Sequence, residues 1–254
     1  MKLATWNVNS LKVRLPQVLD WLAAHGPDVL CLQETKLEDA NFPAADITAA
    51  GYRPVYAGQK TYNGVAILCR TSPEEVVAGI PGYDDPQKRL LAATIDGVRT
   101  ICVYVPNGES VDSDKYRYKL DWLARLTAWL KEQIAAYPRL AVLGDFNIAP
   151  EERDVHDPKA WEGQVLFSAP ERAAFAALLE SGVADSFRLF DQADKSYTWW
   201  DYRMNAFKRN LGLRIDHILL SPELTKKCKS CAIDRDMRVR ERPSDHAPVA
   251  AEIA

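Results

Sequence analysis

Apolar residues in this chain arrive in short runs that stop at Asn, Asp, Gly or Pro: KLATWN, VLCLQE, GVAILC, LLAATID, RTICVYVP, LAVLGDFN, IDHILLS and APVAAEI. Runs of this length with such stops predict sheet strands. Between them, longer stretches predict helices over residues 14–26, 114–137 and 170–182. In the second, Leu123, Leu126, Leu130 and Ile134 recur at the three-and-four spacing of one helix face, whereas Lys115, Arg117, Lys119 and Lys131 are expected to face water. Trp122 and Trp129, beside the leucine stripe, are expected to pack. Gly26 and Gly182 fall where helix C-caps belong. The alternation of strands and helices predicts an α/β chain, and 254 residues suit one domain over 1–254.

Charge adds little. A formal net charge of -3 and a pI near 5.9 exclude a protein that coats polyanions with its whole surface, so any nucleic-acid contact must come from a local basic face. The five cysteines include CKSC at Cys228 and Cys231, but no second Cys/His pair stands at zinc-site spacing. A reduced, cytoplasmic compartment fits that usage better than a disulfide scaffold. The opening MKLATWNVNS lacks an apolar signal core, and no run approaches a membrane span, so a protein without membrane contact is expected.

The candidate chemistry lies where strands end in polar groups: Asn7 and Asn9, Gln33 and Glu34, Asp145 and Asn147. Strands whose carboxyl ends point toward one crevice would gather these groups. LGDFN reads in two ways, as an Asx turn closing a strand or as Asp145 and Asn147 presented on one face, a carboxylate to accept a proton beside an amide to hold the nucleophile. Glu34, after a nearly continuous apolar strand, is either a solvated exit residue or a ligand for a hard cation. RPSDHAPV pins Asp245 and His246 between Pro243 and Pro248, and LRIDHILL supplies Asp216 at the head of a strand. Either acid can fix the tautomer of His246, while His217, facing opposite to Asp216, is expected to pack, and His25 and His156 to be structural or superficial.

In order along nearly the whole chain, TWNVNSLKVRL, CLQETK, YVPNG, LGDFN, TWWDYRMNA, LRIDHIL and SDHAPV resemble the exonuclease III family of AP endonucleases, within the wider endonuclease/exonuclease/phosphatase superfamily. The resemblance implies a four-layer α/β sandwich, two mixed β-sheets packed face to face and flanked by helices. It also implies a Mg²⁺-dependent phosphodiester-cleaving site between the sheet ends, with Mn²⁺ as an alternative cation. By resemblance, Glu34 is the main metal ligand, Asn9 stands where some relatives carry an Asp that helps hold the metal, and Asp245 lies beside them. Asn7 orients Asp145, Asn147 holds the water or a phosphate oxygen, Tyr104 and Asn107 touch phosphate, and Asp216 partners His246. The chemistry agrees. A phosphodiester needs a cation and donors near its oxygens and a base beside an in-line water. Asp145 is the expected base, with the Asp216 and His246 pair as the alternative.

The implied activity is that of a base-excision-repair nuclease acting as a monomer on double-stranded DNA, at abasic sites or at 3′ ends. Arg203, Asn205 and Lys208, with Arg209, Arg235, Arg238, Arg240 and Arg242, flank the candidate site and are expected to meet the DNA backbone. Trp199, Leu213 and Ile215 occupy positions that wall the pocket for an extrahelical abasic sugar. Leu213 replaces a Trp common among relatives, and bulky Leu166 and Phe167 stand where they would crowd that pocket, favouring 3′ ends over internal sites. Three other readings are a phosphatase acting on inositol phosphates or lipids, a secreted nonspecific nuclease, and a noncatalytic binding module.

Overall fold

Strands that are apolar at every position need cover on both faces, and four of the central strands here are buried from end to end. The computed structural model describes all 254 residues. In chain order the elements are β1 (Lys2–Asn7), α1 (Leu11–His25), β2 (Val29–Gln33), α2 (Ala44–Ala49), β3 (Arg53–Ala57), β4 (Val65–Cys69), β5 (Glu74–Ala78), β6 (Leu90–Ile95) and β7 (Val98–Tyr104). There follow α3 (Asp114–Ala136), β8 (Leu140–Asp145), α4 (Pro158–Trp161), α5 (Ala169–Glu180), β9 (Ala184–Asp185), β10 (Asp216–Leu220), α6 (Pro222–Lys227), β11 (Cys228–Ile233) and β12 (Val249–Ile253).

Two mixed six-stranded sheets result, ordered β11-β12-β1-β2-β4-β3 and β5-β6-β7-β8-β10-β9. Each contains one parallel pair, β1 with β2 and β7 with β8, and is otherwise antiparallel. The core between them takes alternate residues of each strand, such as Leu3, Val29, Cys31, Ala141, Leu143, Ile218 and Leu220. The opposite faces meet helices: Trp6, Leu30 and Leu32 pack with Val18, Trp21 and Leu22 of α1, while Val142 and Leu219 pack with Trp122, Leu126 and Leu130 of α3 and Phe175 of α5. The expected four-layer sandwich is therefore observed. Period-two alternation has a consequence for chemistry. Asn7, Gln33, Tyr104, Asp145 and Asp216 continue the inward-facing series of their strands, so all end between the sheets.

Local signals fix the helix ends. Gly26 caps α1 in the left-handed region, its N–H returning to Leu22 O at 2.9 Å. Ser113 Oγ accepts from the Tyr116 N–H to start α3, and Ser168 with Glu171 forms a capping box at α5. Gly182 lies one residue beyond the cap of α5, which is Ser181. The first helix begins at Leu11, three residues before the expected start, with Pro16 inside it. All five cysteines are free thiols, and no helix is long and apolar enough to cross a membrane.

One expectation about α3 is overturned. Lys119 is completely buried, because it lies in register with Tyr116, Leu123, Leu126 and Leu130 on the covered stripe rather than with the wet lysines.

Behind the sheet ends lies a buried ionic cluster. Arg214 reaches Asp154 at 2.6 Å and Asp185 at 2.7 Å, and Arg188 also pairs with Asp154. His217 packs as expected, between Arg214 and the Ile148 carbonyl and against Phe146 and Phe175. Burial alone would raise the Asp185 carboxyl, but Arg214 and His217 hold it well below the ordinary carboxylate range. The stabilisation is therefore fully present above the unfolded-state value of about 3.9 and is lost as pH falls below it. Asp185→Asn should lower unfolding free energy by roughly 3 kcal/mol at pH 7. The gap from wild type should narrow below about pH 4, as read from urea midpoints at both pH values; an equal gap at both would refute this account.

Candidate active site

The crevice at the sheet ends is lined by polar groups that hold one another. Asn7 is central: its Nδ2 donates to Glu34 Oε1 and to Asp145 Oδ2, both at 2.9 Å, and its Oδ1 accepts the Asn9 N–H at 3.0 Å. One carboxamide thus joins a carboxylate of the first sheet to one of the second. Asp145 gains two further donors, the Asn147 N–H at 2.9 Å and its side-chain Nδ2 at 3.2 Å. The bond from the Asn147 N–H is the Asx turn anticipated for LGDFN, and it leaves both side chains in the crevice. The strand ends at Asp145, and Asn147 owes its position to a left-handed backbone at φ 50° rather than to strand alternation. Gly144 permits this ending, since a Cβ there would lie 1.9 Å from the Val103 carbonyl oxygen of the neighbouring strand.

A second group is built around His246. Its Nδ1 meets Asp216 Oδ2 at 2.8 Å, and its Nε2 lies 3.8 Å from Asp145 Oδ2. Asp216 directly faces Asp145 across the β8–β10 pair. Burial pulls the imidazole down, but the carboxylates of Asp216 and Asp145 push it up to about 10, so it carries its proton at neutral pH. Burial raises Asp145 to about 7, against the pull of His246 and Asn7. Asp216 Oδ1 is buried without a hydrogen-bond partner in the protein, leaving one acceptor free within the site. Ser244 was not anticipated from sequence. Its hydroxyl donates to the Asn7 carbonyl at 2.6 Å and accepts the His246 N–H at 3.2 Å, tying the histidine to β1.

The third group surrounds Glu34. Burial would raise its carboxyl, but Lys36 and Asn7 bring it below its ordinary value, so it is ionised. Tyr104 OH donates to Glu34 Oε1 at 2.9 Å, and burial beside Glu34 and Asp145 keeps that phenol protonated. Lys36, also unforeseen although it closes the CLQETK motif, bridges Glu34 Oε2 at 2.8 Å and Asn9 Oδ1 at 2.5 Å. Asn9 Nδ2 in turn reaches Asp245 Oδ1 at 3.0 Å, and Trp199 Nε1 holds Asp245 Oδ2 at 2.9 Å. A lysine ammonium spanning two oxygen ligands marks a place where positive charge is favoured, and hard oxygen donors there fit a divalent cation. Asp145, Asp216 and His246 also cluster, their ligand atoms lying within 4.8 Å of one another. A metal there would have to displace the imidazole proton, so Glu34 suits the cation better.

Asn107, at the exposed rim, donates to Asn147 Oδ1 at 3.0 Å. Arg203, Asn205 and Lys208 stand apart on an exposed loop, with Arg203 paired to Asp201. That loop is anchored where Tyr202 OH donates to the Pro243 carbonyl, two residues before Asp245. Arg238, expected on the basic face, is buried instead. It donates to the Ser244 and Trp200 carbonyls and stacks near Trp200 and Phe207. Leu213 and Ile215, expected as pocket walls, are 0% and 1% exposed, packed with Leu166, Phe167, Ala149 and Val155. Trp199 leans on that cluster, half-buried.

Carboxylates, a protonated imidazole and amide donors gathered around one crevice are suited to hydrolysis of an anionic ester. Comparison with known proteins narrows the class. The Endonuclease/Exonuclease/phosphatase family matches residues 4–246. Exodeoxyribonuclease III of Haemophilus influenzae is 36% identical, with 99% of each chain covered, and DNA repair nuclease APEX1 of Danio rerio is 36% identical over all of this chain and 82% of its own. Among solved structures, the 3′ phosphatase NExo from Neisseria bound to product DNA hairpin superposes with a TM-score of 0.99 at 50% identity, covering 100% of this chain and 99% of that one. An AP endonuclease from Archaeoglobus fulgidus gives 0.96 at 42% identity, with the same coverage. The chain belongs to the Endonuclease/Exonuclease/phosphatase family, in its exodeoxyribonuclease III branch, and is a hydrolytic nuclease.

Removing the Asn7 amide unlinks Glu34 from Asp145. Asn7→Ala should lower single-turnover phosphodiester cleavage on the order of 10²-fold while leaving duplex affinity within about threefold. Retention of the wild-type rate would show that the bridge positions nothing.

Proposed function

We propose that this nuclease works at 3′ ends of double-stranded DNA, removing 3′ nucleotides and 3′ blocking groups, in preference to incising beside internal abasic sites. The observation that supports this reading is the closed apolar cluster of Leu166, Phe167, Leu213 and Ile215, at positions where the family resemblance expects the walls of a pocket for an extrahelical sugar. Flipping a nucleotide costs a few kcal/mol, and a filled receptor returns nothing for it. A terminal nucleotide is already free on one side. DNA as substrate is supported by the relatives named for exodeoxyribonuclease III and DNA repair, and by the Neisseria enzyme seen with a DNA hairpin.

Glu34, with Asn9 and Asp245 beside it, would hold Mg²⁺ or Mn²⁺, which supplies charge neutralisation for the phosphate and for the oxygen that leaves. The chain's own groups do the rest. Protonated His246 donates toward the phosphate oxygens, joined by Tyr104 and Asn147 on leaving Glu34 and Asp145, with Asn107 at the rim. Asp145 takes the proton from a water held beside it, that water bonds to phosphorus, and the bond to the 3′-oxygen breaks. Asp216 accepts from His246 Nδ1 and holds the orientation and charge of the imidazolium. Arg203, Asn205 and Lys208 lie where they can meet backbone phosphates outside the crevice, Arg203 on leaving Asp201.

The test uses two labelled duplexes, one with a recessed 3′ end and one with an internal abasic analogue, each with Mg²⁺ and with chelator. The expected result is chelator-sensitive 3′ digestion exceeding incision by roughly 10-fold or more. Leu166 sits at φ 79°, where glycine is at ease, so Leu166→Gly should open the cluster without backbone strain and shift the ratio toward incision. Equal rates on the two wild-type substrates would overturn the preference, and failure on both would overturn the choice of DNA.

A further inference from the structure

Lys119 is a charged side chain with no exposed surface, and every proton of its ammonium is used. It donates to the Asn147 carbonyl at 2.6 Å and to the Asn107 carbonyl at 3.1 Å, and it pairs with Glu171, which is equally buried. Those carbonyls belong to two asparagines that lie 40 residues apart in sequence and whose side chains bond each other at the crevice. Glu171 does more than neutralise the lysine. It accepts from the Leu166 N–H at 3.0 Å, the Ser168 N–H at 3.1 Å and the Ser168 hydroxyl at 2.5 Å. Leu166 O then accepts the Ala149 N–H at 2.8 Å, closing a ring from the site loop to the Leu166 segment of the closed cluster and back.

We infer that Lys119 and Glu171 are positioning residues for the reaction: from behind the crevice they fix the backbones of Asn107 and Asn147 and, through the same bonds, seat Leu166 over the closed cluster. The need for such a clamp is visible in the backbone. Asn147 and Leu166 both stand at positive φ, 50° and 79°, conformations that persist only where the surroundings over-determine them. An ammonium with three protons at fixed directions holds two loop carbonyls and one carboxylate at once, which no apolar residue of the same length can do. Glu171, at the start of α5, transfers the rigidity of the helix to both loops.

This inference rests on the reading of Asn107 and Asn147 as phosphate-side groups, and the experiment separates the two. Single-turnover cleavage of a recessed-end duplex, duplex affinity in chelator, and thermal midpoint are measured for Lys119→Met, for Asn147→Ala, and for Leu126→Ala, a core substitution on the same helix that matches loss of stability alone. If Lys119→Met does not fold, the charge-neutral double variant Lys119→Met with Glu171→Gln takes its place. The expected result is a cleavage rate lowered roughly 30-fold or more, with affinity within about threefold, while Leu126→Ala cleaves at nearly the wild-type rate. A Lys119 variant that loses no more rate than Leu126→Ala, beside an impaired Asn147→Ala, overturns the clamp alone. An unimpaired Asn147→Ala overturns the phosphate-side assignment beneath it.

Discussion

Two carboxylates from different sheets, Glu34 and Asp145, have to share one largely buried crevice without driving the sheets apart, and the carboxamide of Asn7 is what joins them. Like charges brought together away from water repel strongly unless donors and cations lie between them. Here the separation is filled on every side: Asn7 between the two acids, Lys36 on the far oxygen of Glu34, and the imidazolium of His246 beside Asp145. The same groups that make the crevice tolerable to the fold make it attractive to a phosphate and a divalent cation. Binding and folding therefore draw on one arrangement of charge.

That arrangement is stored in the backbone as well as in the side chains. Asn9, Glu34 and Asn147 all adopt positive φ, between 43° and 52°, which for residues other than glycine costs on the order of 1 kcal/mol each. Bonds from outside the site repay this. Ser10 N–H donates to the Glu34 carbonyl at 2.8 Å, Leu11 N–H to Thr35 at 3.0 Å, and Lys119 holds Asn147. The start of α1 and the body of α3 thus serve the site directly, and the sheets provide the fixed frame against which strained turns can be held.

How far the sequence spoke follows from which physics each residue obeys. The eight interior strands could be read because their runs are largely apolar and mostly buried, four of them from end to end. Four strands could not: β3 carries Pro54, β5 is largely exposed along Glu74–Ala78, β9 has two residues, and β11 hides in CKSC. These are edge strands or end next to an edge, where pairing rather than burial defines the element. Asn7, Tyr104, Asp145 and Asp216 were legible because period-two alternation places them, whereas Asn9, Glu34 and Asn147 reach the crevice through left-handed turns just beyond their strands. Ser244, Lys36 and Lys119 were not legible, since their roles depend on contacts across long stretches of chain. Lys119 was misjudged by its charge when its helical position, in line with Leu123 and Leu126, already put it inside. Leu213 and Ile215, expected as pocket walls, turn inward, because Leu166 and Phe167 complete a small core there.

The division of labour between frame and loops bears on how substrate choice is set. The acid, amide and imidazole groups come mostly from the ends of β1, β2, β7, β8 and β10, whose registers are locked by two-sided burial, so altering them disturbs the core as well as the chemistry. The closed cluster beside the crevice comes instead from residues 149–167 and 199–215, joined by short bridges between Val155, Trp199, Leu213 and His246. Exchanging one bulky residue in that small cluster changes a local cavity and leaves the sheet registers alone. Leu166 and its neighbours can then be exchanged while Asn7, Asp145 and His246 stay where the sheets and their bonds put them. The link between the two systems is the Glu171 carboxylate, which holds the Leu166 N–H on one side and the ammonium that fixes Asn147 on the other.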